Sequence, residues 1–359
     1  MTEKGRVVVA MSGGVDSSVA AALLVEAGYQ VIGMMLRLWS EPGTQDSNRC
    51  CTPEAMAQAR RVASLLKIPF YAVDAREAFH EKVVQPFIEG YTQGFTPNPC
   101  AFCNRLIRWG LLLEQARSLE AEFMATGHYA RTHRHPSDQL QLIRAADAHK
   151  DQTYILHVLN QEQLQQTLFP LGELTKPEVR QIARRYSLPV AERLDSQDLC
   201  FLADGEVKTF LARHSPEALN PGEIIDPSGR LLGKHQGLAF YTIGQRKGLG
   251  LSSQQPLYVL DKQVETNTLV VGPESALGSK QLHACNVNWI SGVPPSGPVR
   301  LQLKIRYKAL EAWGMVQPVD EGCTDVLFDQ PQRGITPGQA AVFYEGDICL
   351  GGGVITKEK

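Results

Sequence analysis

One short stretch near the start of the chain limits the possible folds more than any other. Residues 6–10 form a β-branched apolar run, which is typical of a buried strand. A glycine turn follows, and residues 18–28 then predict a helix with a glycine at its end. The chain therefore runs from strand through glycine turn to helix. The turn, residues 10–17, consists of Ala10, Met11, Ser12, Gly13, Gly14, Val15, Asp16 and Ser17.

This order of elements predicts an anion site. We expect Gly13 and Gly14 to take positive φ and to let the backbone approach a ligand, while Ser12 and Ser17 add hydroxyl donors. The N–H groups and the dipole at a helix start favour a phosphate. The stretch lacks the Gly-Lys-Ser/Thr ending of a Walker A loop, and Asp16 stands where a carboxylate can hold Mg²⁺. The pattern resembles the pyrophosphate loop (PP-loop) of the N-type ATP pyrophosphatases, which cleave ATP between its α- and β-phosphates.

Composition excludes some classes of protein. With 359 residues, 43% of them hydrophobic, the chain is long enough for two or three domains with packed cores. It shows no apolar run of membrane-spanning length and no signal-peptide pattern, so we expect a cytoplasmic protein, or an organellar one in mature form. The formal net charge of −2 predicts no general attraction to nucleic acid, so any RNA contact must come from local basic patches.

Residues 1–132 alternate strands and helices, which predicts a parallel sheet with helices on both faces. Ligands of such sheets bind beyond the carboxyl ends of the strands. This rule places residues 10–17, Leu36 and the turn at Gly127 and His128 at one edge of the sheet. The predicted strands cover residues 6–10, 29–38, 68–73 and 122–129. The predicted helices cover residues 18–28, 52–67 with Thr52 as N-cap, 79–84, 105–119 and 177–186, and residues 133–150 predict a hairpin.

The character of the chain changes near residue 205. Residues 206–255 are rich in Gly and Pro turns and include a basic, glycine-rich segment at 244–250. From about residue 256, short strands alternate with turns, which predicts a small antiparallel barrel. We therefore predict three domains: an α/β PP-loop domain at residues 1–205, a central domain at 206–277 and a C-terminal antiparallel β-barrel at 278–359.

The clearest strand pattern of the C-terminal region covers residues 299–308. Its alternation puts apolar side chains on one face and polar or basic ones on the other. A cationic strand face on a small barrel suits a phosphate backbone. An ordinary solvated strand face has the same pattern, so both interpretations stay open. The second face carries Arg300, Gln302, Lys304, Arg306 and Lys308.

The eight cysteines favour catalysis or metal binding over a disulfide framework in a chain expected to be cytoplasmic. Cys285, Cys323 and Cys349 fall in strand-like segments and are predicted to be small core residues. Cys103 is predicted to begin a helix, where a thiol is a better nucleophile. Cys100 and Cys103 also form a Cys-x-x-Cys pair, which is consistent with a redox pair. The pair is also consistent with half of a metal site, and Cys50 and Cys51 could complete a four-cysteine zinc site, although two adjacent cysteines are an uncommon ligand pair.

Further motifs give nearly the whole chain a resemblance to the tRNA-specific 2-thiouridylases, the sulfurtransferases of the wobble uridine. The resemblance implies a PP-loop α/β domain, a small central domain and a C-terminal β-barrel. It also implies ATP and tRNA as substrates. The matching residues are, in chain order, 10–17, 96–99, 103–104, 125–131, 150–152, 195–197, 200–201, 241–248, 304–307 and 336–339.

The resemblance also implies roles for single residues. Cys200 would carry a persulfide supplied by a sulfur-relay protein or a cysteine desulfurase, and Cys103 would complete the transfer. Residues 10–17, Leu36 and Gly127 would bind ATP. Asn98 and Pro99 would flank the flipped-out uridine. The full set implied to contact tRNA is Asn98, Pro99, Cys100, His128, Lys150, Asp151, Gln152, Arg306, Tyr307 and Gln339.

The chemistry of such a reaction suits two cysteines. Adenylation turns the uridine carbonyl oxygen into a good leaving group, AMP, which a persulfide on Cys200 can displace. Cys103 can then release the sulfur by forming a disulfide with Cys200. Many members of the family carry an aspartate where this chain has Cys100, so the acid–base group stays unassigned. An iron–sulfur route through Cys100, Cys103 and Cys200 is the alternative mechanism.

Two other functions compete with thiolation. PP-loops also serve ATP-dependent amidotransferases and ligases, but those reactions need no pair such as Cys103 and Cys200. A non-enzymatic RNA-binding module with a vestigial loop is the second alternative. The intact Ser12, Asp16 and Ser17 of the loop argue against it.

Overall fold

The computed structural model describes residues 4–41, 52–194, 199–202, 206–319 and 322–357. Cys50, Cys51 and the motif residues 195–197 lie outside these ranges, so the predicted four-cysteine zinc site cannot be assembled from described residues. Within the described ranges, no helix is both long and apolar enough to cross a membrane.

A parallel five-stranded sheet forms the centre of the N-terminal part, as the alternating pattern predicts. The strands of this part are β1 (Lys4–Ala10), β2 (Tyr29–Arg37), β3 (Phe70–Asp74), β4 (Phe123–Ala125), β5 (Arg131–Arg134), β6 (Leu140–Ile143) and β7 (Thr167–Leu168). The sheet order is β3-β2-β1-β4-β7, and each neighbouring pair is parallel. Val7, Val8 and Val9 of the central strand β1 are fully buried, because helices cover both faces of the sheet.

Two of the helices beside this sheet are widened by π-helical turns. The helices are α1 (Val15–Glu26), α2 (Pro53–Leu65), α3 (Arg76–Phe79), α4 (Gln85–Thr92), α5 (Pro99–Phe102), α6 (Leu113–Ser118), α7 (Thr153–Leu156), α8 (Gln161–Gln165) and α9 (Lys176–Arg185). The π-helical turns His80–Val84 and Cys103–Leu112 join α3 to α4 and α5 to α6. Such turns occur often at functional sites, and the second one begins at Cys103.

The predicted N-cap of α2 is confirmed, but the predicted start of the helix at Cys103 is wrong. Thr52 accepts a hydrogen bond from the backbone N–H of Ala55 at 3.0 Å. The later helix begins four residues before Cys103, because Asn98 caps it by accepting from the Ala101 N–H at 3.3 Å and Pro99 takes the first position. Cys103 therefore lies a full turn inside the helix.

The central part folds around a four-stranded sheet. It contains α10 (Val207–His214), β8 (Gly222–Ile225), β9 (Leu231–His235), β10 (Tyr258–Gln263) and β11 (Thr268–Gly272), with 3₁₀ turns at Pro216–Leu219, Leu238–Phe240 and Glu274–Leu277. The strand order is β10-β11-β8-β9. Its core is a separate apolar cluster that includes Ile224, Val259 and Leu269.

The C-terminal part is the predicted antiparallel barrel. Its strands are β12 (Gly278–Trp289), β13 (Val299–Lys304), β14 (Ala312–Val319), β15 (Cys323–Arg333), β16 (Ala340–Glu345) and β17 (Ile348–Thr356). They follow the order β12-β15-β14-β13-β16-β17, and pairing of β12 with β17 closes the barrel. The β5–β6 hairpin extends the barrel sheet, since Ile143 pairs with Ile348. The hairpin therefore joins the N-terminal part to the barrel.

Two predictions for this region are wrong. The predicted strand 299–308 ends at Lys304, after which the chain bends. Cys285 and Cys323 are not core residues but form a disulfide, because the alternation of β12 sends Ala284 into the core and Cys285 outward. The prediction for Cys349 is confirmed, since it is 1% exposed.

A buried histidine lies where the N-terminal part meets the barrel. Asn288 of β12 donates to the carbonyl oxygens of His157 and Leu159 at 2.7 and 2.8 Å. The His157 Nδ1 lies 2.7 Å from the carbonyl oxygen of Tyr154, so this nitrogen carries the proton. Burial lowers the pKa of the ring to about 4.

We expect this histidine to make the fold sensitive to acid. Above about pH 6.5 the ring is neutral in both states, but between pH 6.5 and 4 only the unfolded chain takes up the proton. Stability should therefore fall by up to about 3 kcal/mol over this window. Urea denaturation at a series of pH values measures this fall in stability, and His157→Asn should make it smaller. His133→Asn replaces an exposed histidine, so this control variant should show the same fall in stability as the parent. A fall that is unchanged in His157→Asn contradicts the assignment of His157 as a cause of the acid sensitivity.

Candidate active site

The loop at residues 10–17 has the backbone of an anion site. Gly13 has a φ of +71°, and a Cβ there would lie 2.3 Å from the carbonyl oxygen of Ala55. Gly14 has a φ of −93°, so the predicted positive φ holds for Gly13 alone of the two. Among the described residues, no side chain caps the start of α1. The N–H groups of its first turn are therefore available to a ligand.

A lysine distant in sequence reaches the loop. The Nζ of Lys176, the first residue of α9, lies 2.7 and 2.8 Å from the two carboxylate oxygens of Asp16. The Tyr129 hydroxyl donates to the same carboxylate at 2.8 Å. The side chain of Lys176 is only 11% exposed. The loop lacks a lysine of its own in sequence, but the fold supplies one.

The loop opens into a cavity of about 220 Å³. Gly127 borders the cavity beside the first turn of α1, and a Cβ at Gly127 would lie 2.6 Å from the backbone nitrogen of Ser17. The cavity brings together most of the residues predicted to bind ATP and both predicted catalytic cysteines. Its lining includes Ala10, Met11, Ser12, Asp16, Ser17, Leu36, Cys103, Arg108, Gly127, His128, Gln152 and Cys200. The cavity lining does not include Gly13, Gly14 and Val15, which belong to the turn itself.

Cys103 and Cys200 reach this cavity from one aromatic cluster. Cys103 is 8% exposed, and Cys200 is half-buried. Phe201, directly after Cys200, is 2% exposed and packs against Phe87 with ring centroids 5.2 Å apart. The cluster thus anchors the turn that contains Cys200, and Cys200 lines the cavity.

His128 lies in the cavity as a neutral ring. A guanidinium only donates, so the 2.8 Å contact between Arg108 Nη1 and His128 Nε2 makes Nε2 the acceptor. The proton lies on Nδ1, which donates to the Thr126 hydroxyl at 2.8 Å. Burial, and then the charge of Arg108, hold the pKa of His128 well below 6.5. Sequence patterns did not predict Arg108, because no motif marks it.

The remaining residues predicted to contact tRNA lie outside this cavity's lining, apart from Gln152. Cys100 is exposed on the first turn of α5, and Asn98 caps that helix. Asp151 is 7% exposed and accepts from the Ala145 N–H and the Thr153 hydroxyl at 3.1 and 2.8 Å. Asp151 therefore holds its own loop together. Lys150 is half-buried beside it.

The barrel holds the segment that leads to Cys103. Gln339 donates to the carbonyl oxygen of Thr96 at 2.7 Å, and the Thr96 N–H donates to the carbonyl oxygen of Pro337 at 2.8 Å. Two motifs far apart in sequence are thus joined in space. Gln339 positions residues 96–99 in this structure, and its predicted contact with tRNA stays a prediction.

Arg306 contacts protein atoms on both sides of a domain boundary. Its Nη2 lies 2.8 Å from the Ile243 carbonyl oxygen, 2.6 Å from that of Gly334 and 2.6 Å from the Thr336 hydroxyl. This guanidinium therefore connects the central part to the barrel. Arg300, a second basic residue of the predicted cationic face, forms an ion pair with Asp329 at 2.6 Å, which reduces the net positive charge of that face.

We expect Arg306→Ala to destabilise the protein by about 2–4 kcal/mol, because it removes three hydrogen bonds from a charged donor. Lys308→Ala, in the exposed turn two residues later, should leave stability unchanged and reduce the salt dependence of tRNA binding. Denaturation midpoints and filter binding at several salt concentrations measure the two effects. An Arg306→Ala variant as stable as the parent contradicts the first expectation. An unchanged salt slope in Lys308→Ala contradicts the second and indicates a solvated surface.

Comparison with known proteins identifies the family. Three family models match the chain: a "tRNA methyl transferase HUP domain" at residues 5–204, a "tRNA methyl transferase PRC-barrel domain" at 208–273 and an "Aminomethyltransferase beta-barrel domain" at 279–355. A tRNA-specific 2-thiouridylase MnmA of Moorella thermoacetica is 48% identical over 97% of this chain and 98% of its own length. The chain belongs to the tRNA-specific 2-thiouridylase family. The 2-thiouridylase MnmA of Magnetococcus marinus is 46% identical over 99% of this chain and all of its own.

One solved structure with a weak likeness to the chain contains RNA and bound ATP. A 4-thiouridine synthetase crystallised with RNA and ATP is 14% identical, with a TM-score of 0.36 over 59% of this chain and 51% of that one. A likeness at that level adds nothing to the account of the site. Membership of the 2-thiouridylase family rests on the curated relatives, which match the α/β, central and barrel parts together.

Proposed function

We propose that this protein uses ATP to convert the wobble uridine of tRNA to 2-thiouridine. The observation that carries the proposal is the shared cavity of Cys103, Cys200 and the glycine loop. A phosphate site alone would suit any ATP-activating enzyme, and two thiols alone would suit a redox protein. Their convergence suits a reaction in which an activated carbon receives sulfur.

In this proposal, the loop residues bind the phosphates of ATP. The open N–H groups of α1, the Ser12 hydroxyl and the ammonium of Lys176 supply hydrogen-bond donors and positive charge. Mg²⁺ suits the same loop, because carboxylate oxygens are ligands that it prefers and Asp16 supplies two in the first turn of α1. Held there by Asp16, Mg²⁺ would supply positive charge against the negative charge that develops on the departing pyrophosphate.

In this proposal, the two cysteines carry out the sulfur steps. After adenylation of the uridine C2 oxygen, the terminal sulfur of a Cys200 persulfide attacks C2, and AMP leaves with that oxygen. The Cys103 thiolate then attacks the Cys200 sulfur, so the tRNA leaves as 2-thiouridine and a Cys103–Cys200 disulfide remains. Two electrons from a thiol reductant reopen this disulfide before the next turnover. A sulfur-relay protein or a cysteine desulfurase supplies the next persulfide.

Two other chemistries have less support. The family-model descriptions mention methyl transfer, but that reaction needs neither thiol in the cavity. An iron–sulfur route needs Cys100 beside Cys103 and Cys200, and Cys100 does not line the cavity. Among the described residues, the grouping of three or more potential metal ligands lies elsewhere, in the barrel.

Mass spectrometry of wobble nucleosides tests the proposal. Cells that lack the gene should lose 2-thiouridine at the wobble position and regain it with the parent gene but not with a Cys200→Ser gene. Unchanged 2-thiouridine, or loss of a methylated uridine in its place, would refute the proposed function.

Lys176 offers a sharper test of the phosphate site. We expect Lys176→Met to lower kcat/KM for ATP by about 10–100-fold, because a charged hydrogen-bond donor to the phosphates is lost. Arg185→Ala is the matched control, since it removes another ion pair between α9 and α1, the exposed pair with Glu26. Initial rates of pyrophosphate release measure both. Equal effects of the two variants contradict a role for Lys176 in binding phosphate.

A further inference from the structure

Four side chains with metal-binding atoms meet on the outside of the barrel. The register of β12 and β15 pairs His283 with Asp325 and places Cys285 opposite Cys323. Ala284 and its partner Thr324 lie between these pairs and are fully buried in the barrel. The alternation of a strand therefore puts the other four side chains on the outer face. There, the two cysteines form a disulfide.

The histidine of this group is oriented as a metal ligand. Its Nδ1 lies 2.5 Å from a carboxylate oxygen of Asp325, so this nitrogen donates its proton to the carboxylate. Its Nε2 then carries the lone pair and lies 3.2 Å from the sulfur of Cys285. A disulfide sulfur has no hydrogen to donate to that lone pair. The Nε2 and both sulfurs lie within 4.8 Å of one another.

We propose that this face of the barrel, once its disulfide is reduced, binds one Zn²⁺ ion through Cys285, Cys323 and His283. A carboxylate that accepts from the far nitrogen of a ligating histidine is the usual second partner at zinc sites, and Asp325 occupies that position. Tetrahedral zinc needs neighbouring sulfur and nitrogen ligands about 3.5 Å apart and two sulfurs about 3.8 Å apart. The Nε2 is therefore nearly in place, and the sulfurs reach their positions by side-chain rotation.

Electrons and protons balance in this scheme. A dithiol reductant gives two electrons and two protons to the disulfide, which opens to two thiols while the reductant becomes a disulfide. Zinc binding then displaces the two thiol protons to solvent. The oxidised protein is the metal-free form. Water completes the coordination, since the group lies on an accessible face where His283 is 26% exposed.

The site is separate from the proposed active site. None of its residues lines the cavity that contains Cys103 and Cys200. It also differs from the zinc site predicted at Cys50, Cys51, Cys100 and Cys103. Metal binding here can therefore be measured without any assay of thiolation.

Zinc titration of the reduced full-length protein, in competition with a chromogenic chelator, tests the proposal. We expect one equivalent of Zn²⁺, and Co²⁺ in its place should give the sulfur-to-cobalt charge-transfer absorption of a tetrahedral thiolate site. Cys285→Ser and Cys323→Ser should each abolish this binding, and Asp325→Asn should weaken it by about 10–100-fold. Oxidised protein should bind no ion at this site.

Two variants keep the test decisive. His283→Gln leaves both cysteines in place, so formation of the disulfide in the oxidised variant shows that the barrel has folded. The reduced His283→Gln variant should bind zinc more weakly than the reduced parent protein. Cys100→Ser is the control for a thiol removed elsewhere and should still bind one equivalent. Reduced parent protein that binds no zinc overturns the proposal. Zinc that survives in Cys285→Ser and Cys323→Ser but is lost in Cys100→Ser also overturns it.

Discussion

Serine in place of Cys200 or of Cys103 is expected to abolish 2-thiouridine formation, and the two variants should fail at different steps. Serine can neither hold a persulfide nor form a disulfide. Cys200→Ser should therefore accept no sulfur from a persulfide donor. Cys103→Ser should accept sulfur on Cys200 but, with ATP and tRNA, should trap the tRNA in a disulfide with Cys200. Intact-protein mass spectrometry and a non-reducing gel, both without added thiol, measure these outcomes.

Cys100→Ser is the matched control, because Cys100 lies one helical turn before Cys103 and is exposed. It should keep substantial activity, and Cys100→Asp should be tolerated or better, since many family members have an aspartate there. Multiple turnovers by Cys103→Ser contradict the two-thiol mechanism. A Cys100→Ser variant as inactive as the other two, together with iron in the anaerobically purified protein, supports the iron–sulfur alternative instead.

Replacement of Asp16 is expected to reduce ATP activation by about 10³-fold or more. The carboxylate is the one proposed to hold Mg²⁺, and it also fixes the ammonium of Lys176 at 2.7 Å. Loss of the carboxylate charge weakens both contributions and removes several kcal/mol of stabilisation from the departing pyrophosphate. Single-turnover measurement of AMP formation with tRNA present gives the size of the loss.

Asp16→Asn is the variant of choice, because Asp16→Ala would remove the carboxylate that binds the buried Lys176 ammonium and risk destabilising the fold. Asparagine keeps an oxygen that can accept from Lys176 and Tyr129. The melting temperature of the Asp16→Asn variant should stay near that of the parent protein, while its rate of AMP formation falls. Activity within tenfold of the parent in Asp16→Asn contradicts the assigned role.

Sequence patterns predicted the parts of the site that depend on local chemistry. Periodicity and turn residues predicted three features: the run from β1 through the loop to α1, the sheet edge that carries both Leu36 and Gly127, and the barrel. The positive φ of Gly13 was predictable because a strand-to-helix turn needs it. Gly14 was misjudged, since it serves instead as the residue before α1, with φ in the ordinary extended range.

Contacts between distant segments could not be predicted. Lys176 lies 160 positions after Asp16, and Arg306 lies 63 positions after Ile243, so neither pair leaves a local pattern. The disulfide of Cys285 and Cys323 depends on the register of two strands that are not neighbours in sequence. The start of the helix that leads to Cys103, in contrast, depends on neighbouring residues. Asn98 followed by Pro99 is a local signal for a helix start, so this start was predictable from the sequence.

The fate of the uridine oxygen tests the account most directly. The parent protein, loaded with persulfide, is given ATP and tRNA whose wobble uridine carries a heavy oxygen isotope at C2, and the released AMP is analysed by mass spectrometry. Adenylation of the uridine predicts that the heavy oxygen appears in the phosphate of AMP, with one AMP and one pyrophosphate per 2-thiouridine. Release of ADP and phosphate, or AMP without the isotope while 2-thiouridine forms, contradicts the account.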